Sequence, residues 1–97
     1  MINTISGVLD RFVPFRIQNN DTVYRKLNHL LSLCLPDVHF EFEYMEDCGD
    51  YMIEHFYNKK HDIYLDLTIR YCMFIEGSYR SHFKVTEYKV YKRNEKS

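Results

Sequence analysis

The chain has 97 residues, enough for a single domain spanning 1–97 and too few for two. With 45% hydrophobic and 28% charged residues it lies outside the compositions of disordered and membrane-embedded chains. A formal charge of -1 argues against a bulk electrostatic nucleic-acid binder and equally against an acidic DNA mimic.

No apolar run approaches the roughly 20 residues of a membrane span. The opening segment, MINTISGVLDRF, lacks the charged start and continuous apolar core of a signal peptide, so a cytoplasmic location is expected. Cys34, Cys48 and Cys72 form an odd set without a close pair, which fits reduced thiols better than a disulfide framework. Nine Tyr and seven Phe stand beside no Trp. Tyr can cover a sheet while its hydroxyl stays wet. Together with the frequent Asn, Lys and Ile, this usage suits an AT-rich genome and suggests a phage or mobile-element source.

Ile2, Ile5, Leu9 and Phe12 fall at helical spacing, with Asn3 or Thr4 as a cap. Gly7 costs that helix about 1 kcal/mol relative to Ala. Pro14 pushes Val13 toward an extended conformation and ends the helix. Phe15-Arg16-Ile17-Gln18 alternates briefly, as a short strand or an extended connector. A second helix over 22–34 follows from Val23, Leu27, Leu30, Leu31 and Cys34, with Asp21 as N-cap and Leu35-Pro36 as terminator.

Strands come next. Val38, Phe40, Phe42 and Tyr44 alternate with His39, Glu41, Glu43 and Met45. Gly49 supplies a positive φ in the polar turn 46–50. A less regular strand runs over Tyr51–Tyr57, where Tyr51, Ile53, His55 and Tyr57 compete with Met52 and Phe56 for the inner face. Ile63–Ile75 then alternates fully, with Ile63, Leu65, Leu67, Ile69, Tyr71, Met73 and Ile75 on one face. That period makes it the spine of an antiparallel sheet with one dry and one wet face. A three-residue loop, Gly77-Ser78-Tyr79, would pair Met73 with Phe83 and Tyr71 with Val85. A two-residue Gly-Ser turn would bring His82 and Lys84 inward instead, so the longer loop is preferred. A bulge near Thr86-Glu87 accounts for the later phase change to Tyr88 and Val90.

The expected fold is α+β, with two N-terminal helices packed on a four-stranded antiparallel meander. This element order resembles that of cystatin-like folds. No family motif accompanies the likeness, so no function is carried over from it.

Catalytic and metal signatures are weak. No CxxC, HxxxH or HExxH occurs, and neither metal nor cofactor is expected. Cys48 sits between acidic residues, which disfavour a thiolate. Cys72 opposite or diagonal to His82 reads as an ordinary cross-strand pair before it reads as a dyad. Glu41 and Glu43 read as part of a solvated, charge-mixed face. No Gly-rich phosphate loop exists. The chain is therefore read as non-enzymatic, a small regulator or inhibitor that binds another protein. Cys72, Phe74 and Tyr79, near the tip of the long hairpin, are the candidate anchors. The N-terminal helix offers a homodimer face if the sheet does not cover it. The alternative is a nucleic-acid-binding accessory protein that uses the interleaved Tyr88, Lys89, Tyr91, Lys92 and Arg93.

Overall fold

The computed structural model describes residues 1–18, 21–72 and 82–93, the side chains of Cys72 and His82 excepted. Helix α1 (Ile2–Phe12) leads to a short strand β1 (Phe15–Ile17) and helix α2 (Val23–Ser32). Four longer strands follow: β2 (Glu41–Asp47), β3 (Tyr51–Asn58), β4 (Ile63–Cys72) and β5 (His82–Lys92). They form one antiparallel sheet in the order β1-β5-β4-β3-β2.

The α+β class and the two helices agree with the sequence reading, but the sheet has five strands rather than four. The additional strand is Phe15–Ile17, which pairs Phe15 with Val85 and Ile17 with Phe83. Three residues leave too short a period to distinguish a strand from a connector, so the pairing partner decides.

Strand β4 is central, and its inner row of Ile63, Leu65, Leu67 and Ile69 is almost wholly buried. Across the ladder Phe56 faces Leu65 and Val85 faces Ile69. Ile5, Val8 and Leu9 from α1 and Val23, Leu27 and Leu31 from α2 complete the same core. The apolar stripe of α1 is therefore packed within its own chain. Tyr88 adds a polar tie, its hydroxyl donating to the Ser6 carbonyl at 3.1 Å and to the Asp10 carboxylate.

The helix ends differ in part from expectation. Val13 is extended and α1 stops before Pro14, as the sequence requires. Met1, not Asn3 or Thr4, is the N-cap of α1, without a side-chain hydrogen bond. Thr22, not Asp21, caps α2: its hydroxyl accepts from the Arg25 amide at 3.1 Å, while Asp21 accepts the Thr22 amide at 2.8 Å. The segment after α2 is held by Asn28, which donates to the Phe40 carbonyl at 2.9 Å and accepts from its amide at 2.8 Å.

Two irregularities set the faces. Thr86 is the extra residue where β5 passes from Ile69–Val85 to Thr68–Glu87 pairing, which is the anticipated bulge. A second bulge, between Phe42 and Tyr44, was not anticipated. It turns Tyr44 outward beside His55 and brings Met45 inward beside Glu54. The β4–β5 register also differs from the expected one, pairing Tyr71 with Phe83 and Ile69 with Val85. That is a slip of two residues, which preserves the faces. Gly49 has the expected positive φ, 89°.

Because Leu65 is fully buried at the centre of this core, Leu65→Ala should destabilise the fold by about 2–5 kcal/mol. Urea unfolding would show this as a lower midpoint with an unchanged slope.

Candidate functional site

The helices do not cover the whole inner face. Beyond Ile69 the dry rows continue to Tyr71 and Phe83, which are 54% and 38% exposed. Their rings meet edge to face at 5.4 Å. On β2, Phe42 and Met45 are each 47% exposed. Between these residues and the start of α2 lies an open cavity of about 580 Å³. Thr22, Val23 and Tyr24 form one wall and Phe42 and Met45 another. Ile17, Met52, Ile69 and Phe83 line the remainder. The volume lies within the range of ligand pockets.

Among the described residues two carboxylates, Asp21 and Glu54, line this trough, and no Lys or Arg does. Asp21 is occupied by the Thr22 amide and stands 3.8 Å from Arg25. Glu54 differs. It faces Leu67 on one side and Met45 on the other. Among the described residues nothing hydrogen-bonds or ion-pairs with its carboxylate. Burial alone pushes its pKa up, because the charged form loses hydration without gaining a counter-charge.

The opposite face of the sheet is less wet than its sequence suggests. Tyr57, Tyr64 and Tyr91 are directly opposed across three strands. Their rings pack at 4.8 and 5.5 Å. Tyr44 stacks on His55 at 4.1 Å. His55 is buried, with Nδ1 2.7 Å from Asp66 and Nε2 2.5 Å from Glu46. A neutral imidazole donates from one nitrogen only, so both contacts are hydrogen bonds only when the ring carries two protons. Tyr91 also donates to Asp66, at 3.1 Å. Burial first, then the Asp66 charge, holds the Tyr91 hydroxyl well above the usual tyrosine range. Glu46 and Asp66 sit at opposite ring nitrogens and do not converge. The described residues contain no group of three or more His, Cys, Asp or Glu that could hold a metal, and none of their helices is long and apolar enough to cross a membrane.

Of the expected protein-binding anchors, Phe74 and Tyr79 lie outside the described residues, and Cys72 is placed by its backbone opposite His82. The expected nucleic-acid set is divided by strand alternation. Tyr88 and Lys92 oppose inner-row Leu67 and Ile63, whereas Lys89 and Tyr91 oppose outer-row Asp66 and Tyr64. Lys89 lies over the Tyr91 ring at 5.3 Å, and Arg93 donates to the Tyr64 hydroxyl at 3.2 Å. The trough residues Phe42, Met45, Met52, Glu54 and Phe83 were not singled out by sequence. The signal available was the apolar inner row running on through Tyr71 and Phe83, past the reach of two short helices. Comparison of the chain with protein families, with curated proteins and with solved structures finds no match.

Two outcomes follow from the outer-face network. His55→Ala removes the buried imidazole between Asp66 and Glu46 and should cost about 3 kcal/mol in urea unfolding. Tyr91, raised mainly by burial, and Tyr88, raised first by its hydrogen bond to Asp10, are held neutral by the fold. The unfolded chain ionises tyrosine near about pH 10. Their contribution to stability should therefore be level below that pH and fall as pH rises above it, because the unfolded state then sheds protons that the native state retains. Tyr91→Phe should make the fall shallower in unfolding curves recorded from pH 8 to 11.5.

Proposed function

We propose that the protein is a non-enzymatic binding module that regulates or inhibits another protein by occupying its surface, with the inner-face trough as the contact. The observation that carries this reading is an open apolar cavity flanked by half-exposed Phe42, Met45, Tyr71 and Phe83. Aromatic and Met side chains grouped around a recess are the residue types that anchor protein interfaces. The rim adds a preference of charge. Strand β2, the exposed wall of the trough, carries no basic residue, and its Asp47, opposite Met52, and Glu41, beside the Tyr24 hydroxyl, lie next to the lining, whereas Glu46 turns to His55 on the other face. An apolar segment with basic flanks suits this surface, because complementary charge speeds encounter and excludes acidic competitors.

The nucleic-acid alternative has less support. Its aromatic residues are engaged in stacks and hydrogen bonds within the sheet and with α1, Lys89 lies over the Tyr91 ring, and Arg93 donates to the Tyr64 hydroxyl.

The tagged protein, purified from its own host after nuclease treatment, should retain one dominant protein. Phe42→Ala and Phe83→Ala should each weaken that complex at least about tenfold while the chain still unfolds in one cooperative thermal transition, at a somewhat lower midpoint because both rings also pack on neighbours. Retention that is lost with nuclease, or a complex that neither variant weakens, would contradict this assignment of the surface.

A further inference from the structure

Glu54 is the least explained group in the fold. A carboxylate placed opposite Leu67 and Met45 loses hydration, and no described residue compensates it. The lining beside it is Met45, Met52 and Phe42, flexible or flat apolar groups suited to a linear alkyl chain. Lys and Arg have that form, an aliphatic stem that packs on apolar surface and a cationic head that seeks a carboxylate.

We propose that the trough is a receptor for one long cationic side chain, Arg or Lys, presented between apolar residues by a segment of the protein partner, with Glu54 as its counter-charge. This rests on the binding-module reading above and specifies what that site takes. The occupant is argued from charge complementarity, since among the described residues two carboxylates and no cation line the cavity and Asp21 already has partners. The stem crosses Met52 and Met45, and the head receives one or both Glu54 oxygens. The upward displacement of the Glu54 pKa agrees with a site completed by an incoming cation.

The test is selection of random linear peptides on the full chain and on its Glu54→Gln and Glu54→Leu variants, both of which remove the half-buried charge and should fold. Peptides selected by the native chain should concentrate Arg or Lys beside apolar residues. Replacing that Arg with citrulline, its neutral isostere, should weaken binding to the native chain at least about tenfold and leave binding to Glu54→Gln nearly unchanged. Apolar peptides without a cation that need Phe42 but ignore Glu54 would overturn the proposal while leaving the binding-module reading in place. A preference for Arg that survives Glu54→Gln and disappears with Glu41→Gln and Asp47→Asn would also overturn it, assigning the cation to the β2 rim. Failure to select any peptide whose binding depends on Phe42 would overturn both.

Discussion

The structure depends on the inner row of β4. Ile63, Leu65, Leu67 and Ile69 lie on a strand that is hydrogen-bonded along most of its length on both sides, so their backbone polar groups are satisfied while their side chains stay dry. The rest of the inner-face core is seated against this row: Phe56 and Val85 as lateral neighbours, and α1 and α2 as the cover. A slip of one residue would bring Tyr64, Asp66 and Thr68 under the helices, which is why the register is fixed so strongly. The bulge at Thr86 serves the same constraint. Without it, β5 could not present Val85 to Ile69 and also Tyr88 and Val90 to Leu67 and Leu65.

The two faces bury their side chains differently. The inner face uses helices. The outer face has none, and its large rings cover one another, with Tyr57, Tyr64 and Tyr91 in lateral contact and Tyr44 lying on His55. This matters for the edge strand, because β2 is exposed along its whole length. Apart from its ladder to β3, it is held by Phe42 against Phe56 and by Glu46 against His55. The Phe42–Met45 wall of the trough therefore depends on polar groups behind it. Asp66, which orients His55 and accepts from Tyr91, couples that wall to β5.

Much of the fold could be read from period and punctuation. Ile63–Cys72 alternates without a break, Pro14 dictates the end of α1, and the Thr86 bulge is visible as a phase change. What escaped reading has local reasons. Phe15–Ile17 is too short to show a period and becomes a strand only because β5 is long enough to pair with it. The bulge between Phe42 and Tyr44 is hidden because Phe42, Tyr44 and Met45 are all suited to either face. Asn28 and Asn58 carry no signal of period, yet each ties down backbone distant in sequence or at a turn, Asn58 by donating to the His39 carbonyl and accepting the His61 amide. The trough was illegible for a different reason. Its lining comes from β1, α2 and all four later strands, and only the lateral order β1-β5-β4-β3-β2 brings those residues together.

Glu54 shows why that trough is more than a gap in the cover. On β3 the inner positions are Met52, Glu54, Phe56 and Asn58. Asn58 is inward because it closes a set of backbone hydrogen bonds, and Met52 and Phe56 pack apolar surface. Glu54 does neither, although a Val or Thr there would suit the strand and its neighbours better. Where each local choice otherwise agrees with the fold, a residue that opposes it without compensation among the described residues marks a place where the fold alone is not the whole constraint. Open access, apolar walls and an uncompensated carboxylate meet at that one position, and a cation supplied from outside would satisfy all three.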